Sequence, residues 1–269
     1  MTQVKTILAY LEQLAPVAMK LDFDNVGLLT GRSNSSIQTA LLALDITTAV
    51  IDEAIALGAG LILSHHPIIL SPLHQMTDAN LQGQKLLKLA RHDIASICMH
   101  TNLDAATGGI NDLLAARLDL SKTELLWKTG ELNGTPFGLG RVGTLASPIP
   151  MSSFLPQVQA RLKSHGLRYH DAGRPVHKLA VMGGSGSDLV KNAAAMGCDT
   201  YLLGEVKYHA FLEAAELGLN LIEADHYCTE NIIIEALEKI LSEAFSGLNV
   251  QISTQHKQVA QFFPNARTF

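Results

Sequence analysis

The sequence predicts an α/β fold made of two related halves, each with strands covered by helices. Three observations carry this. Hydrophobic residues make up 47% of the 269-residue chain and aromatics only 5%, so the interior must rest on Ala, Leu, Ile and Val, as suits helices packed on sheets. Short apolar runs alternate with stretches of helical spacing. The same order of elements then occurs twice.

In the first half, residues 4–14 have helical spacing and end before Pro16. Residues 40–46 (ALLALDI) form an apolar run fit for a buried strand. Thr47-Thr48 supply N-cap chemistry for a helix over 49–57, which Gly58 stops. Residues 60–64 read as the next strand, 82–91 as a helix and 94–100 as a third strand. The second half repeats this with a strand at 179–182, a helix at 189–196, a strand at 200–203, a helix at 210–217, a strand at 219–224 and a closing helix at 231–241. Pairing Gly58 with Gly197 sets His65 opposite Gly204 and His66 opposite Glu205, which reads as a degenerate internal duplication. Both halves then place polar, ligand-type residues just after strand ends, where sites form in open α/β sheets. Between them, 127–177 is dense in Gly and Pro and reads as an edge strand or crossover, with a helix-like stretch at 151–165. After Leu248 comes a strand-like run, 250–253, and then a polar tail expected to be disordered or held by a partner.

The net charge of -5, with no Lys/Arg block, gives no support for a nucleic-acid footprint, although bound metal ions would let a free nucleotide approach. Residues 1–5 lack a signal peptide's features, and the apolar region 41–70 is broken by Asp45, Asp52, Glu53, His65 and His66, so no membrane span is expected. Three scattered cysteines, Cys98, Cys198 and Cys228, favour a reducing cytoplasm and read as small buried residues.

Three clusters bear chemistry. Ser64-His65-His66-Pro67 ends an apolar strand with adjacent imidazoles, which are costly to bury without partners. They read as metal ligands or, equally, as one core histidine bonded to a carbonyl and one loop histidine. In His100-Thr101-Asn102-Leu103-Asp104, Asp104 offers metal-bridging oxygens or merely a cap. In His226-Tyr227-Cys228-Thr229-Glu230, the spacing puts both ends on one helical face, as ligands or as a dipole-complementing first turn. Taken together the three favour metal: three histidines and two carboxylates suffice for two divalent ions, whether zinc, iron, manganese or nickel. Glu205, His209 and His100 are the catalytic candidates, with Glu205 or His209 to move protons. Gly183-Gly184-Ser185-Gly186-Ser187 reads as a phosphate cradle or as tight packing. Asp24-Asn25-Val26-Gly27 reads as a turn, and His74, His92, His165, His170, His177 and His256 as surface or core residues. No G-x-S-x-G elbow occurs.

These clusters, with Phe23-Asp24-Asn25-Val26-Gly27-Leu28, Gly184-Ser185-Gly186 and Gly204-Glu205, resemble the GTP cyclohydrolase I type 2 homolog family, also called Nif-three-like or YbgI-like proteins. The match runs in order over about residues 4–241, and the chain resembles the short members, which lack a domain inserted in longer ones. The resemblance implies two three-layer α/β/α lobes facing a central metal-binding cleft, expected here as 1–125 with 222–269, and 126–221. It implies His65, His66, Asp104, His226 and Glu230 as ligands of a dinuclear centre, and a ring-shaped homohexamer. It also implies a cytoplasmic hydrolase acting on a nucleotide-like small molecule, by GTP cyclohydrolase-type opening of an imidazole ring. The alternative is a non-catalytic metal carrier or regulatory ring.

Overall fold

The computed structural model describes residues 1–263 and is mixed α/β throughout. In chain order its elements are β1 (Thr2–Gln3), α1 (Val4–Leu14), β2 (Gly27–Thr30), β3 (Ser36–Ile37), β4 (Thr39–Ala43), α2 (Thr48–Ala56), β5 (Leu61–Ser64), α3 (Leu81–Arg91), β6 (Ala95–Cys98) and α4 (Thr101–Ala105). There follow α5 (Ile110–Arg117), β7 (Ser121–Leu132), β8 (Thr135–Ile149), α6 (Met151–Leu162), β9 (Arg168–His170), β10 (Val176–Ser185), α7 (Val190–Ala195) and β11 (Thr200–Glu205). The last are α8 (Tyr208–Glu216), β12 (Asn220–Glu223), α9 (His226–Glu230), α10 (Ile232–Ala244) and β13 (Asn249–Ile252). The chain divides into two compact units: Met1–Ala106 with Ile233–Lys257, and Thr107–Ile232 with the described residues from Gln258 on.

The first unit holds a five-stranded sheet of order β13-β4-β5-β6-β2. Its first four strands run parallel, and β2 lies antiparallel on β6. Strands β4, β5 and β6 are buried at every position, as a sheet covered on both faces requires. On one face Leu41, Ala43 and Ile62 pack against Val50, Ile51 and Ala54 of α2 and Leu86 and Leu89 of α3. Helix α2 begins as its sequence dictates, with the Thr47 hydroxyl accepting the Val50 N–H.

The second unit holds a six-stranded sheet of order β7-β8-β10-β11-β12-β9, with β10, β11 and β12 parallel and the other pairings antiparallel. Leu179, Val181, Leu202 and Ile222 pack on one face against Leu114 and Leu118 of α5 and Phe154, Val158 and Leu162 of α6.

The dividing lines drawn at 125 and 221 run instead at 106 and 232, because α5 packs on the strands of the second unit and β12 pairs with β11. The Gly- and Pro-rich stretch does hold an edge strand, β7, which pairs with β8 as a hairpin turned by Asn133 and Gly134, both at positive φ, and its helix-like part is α6. The strand-like run at 250–253 is β13, which adds to β4, while the polar tail after it, expected to be disordered or partner-bound, begins with a segment, 253–256, that hydrogen-bonds back onto the first unit. The rest of that tail, 264–269, lies outside the described residues.

Candidate metal centre

In the first unit the parallel order of β4, β5 and β6 sends their C-terminal ends to one sheet edge. Asp45, His65-His66 and His100 follow those three strands. Because β2 runs antiparallel to β6, with Gly27 opposite Cys98, the segment before β2 arrives at the same edge and brings Asp24.

Each histidine there is fixed through Nδ1. The His65 Nδ1–H donates to the Met99 carbonyl at 2.8 Å, a bond that leaves Nε2 as the nitrogen with a lone pair. His65 is 0% exposed, and its Nε2 lies 3.8 Å from Asp104 Oδ1. His66 Nδ1 bonds Asp45 Oδ1 at 2.8 Å, and His100 Nδ1 bonds Asp24 Oδ1 at 2.7 Å. One ligand atom from each of the three lies within 4.8 Å of the others. A metal-ligating histidine commonly gives its second ring nitrogen to a carboxylate or carbonyl, which fixes tautomer and orientation.

Asp24 also receives the backbone N–H of Thr101 at 2.9 Å and its hydroxyl. It thereby anchors the first turn of α4, the helix that carries Asp104. Burial pushes the Asp24 carboxyl up. The hydrogen bonds from His100 and Thr101 and the His100 charge outweigh that and hold it well below the usual carboxylate range. Asp24 is therefore an ionised acceptor at neutral pH.

In the second unit, Asp225 (φ 77) turns the chain out of β12 and caps α9, its carboxylate accepting the Cys228 N–H at 3.1 Å. One helical turn then sets His226 Nε2 3.0 Å from Glu230 Oε2. His226 Nδ1 lies 3.2 Å from Glu205 Oε2, at the end of β11, repeating the Nδ1-to-oxygen fastening of the first unit. Asp225 caps α9, and Glu230, at the other end of that turn, is 4% exposed. Cys228 sits on the same turn, but burial, and then the Asp225 charge, push its thiol up to about 12, so it stays protonated.

The glycine motif makes room for this turn. A Cβ on Gly184 (φ +63) would stand 2.0 Å from Glu230 Oε1 and 3.2 Å from His226 Nε2. One on Gly204 would stand 2.6 Å from Thr229 Oγ1. The Gly184 N–H donates to that same hydroxyl at 3.1 Å. Of the two readings of Gly183–Ser187, tight packing is the one with contacts.

Of the predicted ligands, His65 has His66 and Asp104 on hand in the first unit, and His226 meets Glu230 in the second. His100, given a catalytic role, lies within the His65–His66 group. Glu205 bonds His226. His209 is exposed on the first turn of α8. Asp24 and Asp45 were missed as ring-fastening carboxylates. Imidazole and carboxylate donors of this kind fit a divalent first-row ion such as zinc, iron, manganese or nickel.

No helix among the described residues is long and apolar enough to cross a membrane. Residues 2–259 match the Duf34/NIF3 (NGG1p interacting factor 3) family. A "GTP cyclohydrolase 1 type 2 homolog" of Clostridium perfringens is 33% identical over 262 residues, covering 97% of this chain and 99% of that one. One of the same description from Clostridium acetobutylicum is 33% identical over 260 residues, covering 96% and 97%. The crystal structure of a Bacillus cereus protein related to NIF3 superposes with a TM-score of 0.90 at 25% identity, covering 97% of this chain and 99% of that chain. The chain belongs to the Duf34/NIF3 family.

Proposed function

We propose that the chain is a hydrolase dependent on two divalent metal ions, held by His65, His66, Asp104, His226 and Glu230, and acting on a nucleotide-like small molecule. The observation that carries this is the common fastening of four imidazoles: the Nδ1 atoms of His65, His66, His100 and His226 each meet an oxygen, from Met99, Asp45, Asp24 and Glu205. A single such bond is ordinary, but four at strand ends, with Asp104 and Glu230 beside two of the rings, are the arrangement of ligands set in advance.

When bound, such ions act as Lewis acids and lower the pKa of water toward neutral. The chain's own residues supply the rest. His100, keyed to Asp24, is the group we assign to handle a proton beside the ligand cluster. Glu205 orients His226, and His209, exposed on α8, is free to meet substrate. The description carried by the relatives points to opening of a guanine imidazole ring as the reaction to assay first. A ring-shaped homohexamer in the cytoplasm completes the reading; sedimentation of the purified protein tests the assembly.

His65→Ala from the first unit and Glu230→Ala from the second should each lower metal content and abolish turnover of GTP together. Full activity in metal-free protein ends the proposal. Tight metal binding with no turnover across nucleotides and phosphoesters would instead make the chain a metal carrier or regulatory protein.

A further inference from the structure

The C-terminal strap ends on a histidine that no ligand motif includes. Past β13 the chain stays beside β4: the Ser253 N–H donates to Leu42 O at 2.9 Å. Glu53 on α2 then grips it, accepting from the hydroxyl of Ser253, from the N–H and hydroxyl of Thr254 at 2.9 and 2.6 Å, and from the Gln255 N–H at 3.3 Å. The Ser253 hydroxyl accepts the His256 N–H at 3.1 Å, which turns that residue back toward the sheet edge.

There His256 Nε2 accepts the Leu44 N–H at 3.1 Å. The opposite side of the same residue is also engaged, because Leu44 O accepts the His66 N–H at 2.9 Å. The next residue, Asp45, holds the His66 ring at Nδ1. Leu44-Asp45 is therefore gripped by His256 on one side, and fixes both backbone and ring of His66 on the other. All of these residues belong to the first unit.

From this chain of bonds we propose that His256, latched by Glu53, is a positioning residue for the metal ligand His66. Without it the Leu44 N–H loses its acceptor just past the end of β4, and of the two backbone bonds described at Leu44 only the one from its carbonyl to the His66 N–H is left. The Asp45 carboxylate then loses its fixed origin, and His66 its fixed ring. The inference rests on the metal reading above.

The test is a chelator competition with zinc on the full-length protein, run beside thermal unfolding of the metal-free form. His256→Ala should weaken zinc binding about tenfold, the lower end of what loss of such supporting groups costs, with the metal-free unfolding temperature within the range of other variants at partly buried positions. His256→Gln, whose amide oxygen can accept the Leu44 N–H, should recover most of the affinity. Glu53→Gln should move affinity in the same direction as His256→Ala, and combining the two should add little. Wild-type affinity in His256→Ala overturns the proposal. So does an equal loss in His256→Ala and His256→Gln that tracks a fall in unfolding temperature, which marks a merely structural role. If the wild-type protein binds no zinc, manganese, iron or nickel, the metal reading itself has failed, an outcome distinct from the other two.

Discussion

Replacing Gly184 by Ala tests whether the second unit's ligand pair is set by backbone geometry. Two effects separate cleanly. Gly184 has φ +63, and a left-handed backbone costs an alanine about 1–2 kcal/mol. The new Cβ would also stand 2.0 Å from Glu230 Oε1, whereas ordinary contact begins at 3.4 Å, so the carboxylate must withdraw by about 1.4 Å. A flexible carboxylate at the surface would move at little cost. Glu230 is 4% exposed and held against His226, so its retreat breaks that pair. Metal sites tolerate ligand displacements of only about 0.2 Å, so Gly184→Ala should lower metal affinity by a factor of ten to a hundred, roughly the cost of disturbing a site's supporting contacts. Gly197→Ala is the control. It has φ +73 with nothing within 4 Å of its Cβ, so it should show the same stability loss in urea and unchanged metal binding. Equal affinity in Gly184→Ala and wild type, or equal losses in both variants, would show that the close approach at Gly184 does not set the His226–Glu230 pair.

Three further outcomes follow from the contacts. Asp24→Asn keeps the size of the side chain but removes the charge that His100 and Thr101 face; unfolding in urea should show a loss of about 1–3 kcal/mol, and chelator competition a weaker site. Glu53 is lifted by burial, but the hydrogen bonds from Ser253, Thr254 and Gln255 outweigh this and depress its pKa. Its contribution is thus present above the unfolded carboxylate range and lost as pH falls through the folded value, so Glu53→Gln should flatten the acid limb of unfolding temperature against pH. Ions that bind only the folded chain at a hundredfold excess over Kd add about 2.7 kcal/mol, so a chelator should lower the unfolding temperature of the wild type but not of His65→Ala.

Much of the fold was readable because the parallel middle strands of its two mixed sheets are short, mostly buried apolar runs that alternate with helices. The Thr47 cap over α2 and the runs at 40–46, 60–64 and 200–203 all fall on observed elements. The β7–β8 hairpin was missed because its strands lack clean alternation, yet Asn133-Gly134 is a hairpin turn signal in plain sight. The ligand residues stood out because adjacent imidazoles after an apolar strand, and His and Glu four apart, are costly without a purpose. Their carboxylate partners did not stand out. Asp24 reaches His100 across 76 residues, and only the antiparallel return of β2 brings it there. Asp45 carried a weaker mark: it follows its strand much as His65 and His100 follow theirs. His256 was passed over because its place depends on β13 pairing with β4, a contact between the two ends of the first unit's sequence.

The most direct measurement is anomalous diffraction from crystals grown with manganese or zinc. Two peaks per chain are expected, each about 2.0–2.2 Å from nitrogen and oxygen donors, with His65, His66, Asp104, His226 and Glu230 among them. Peaks only at other residues, or no peak at all in metal-grown crystals, would contradict the proposal of a dinuclear centre.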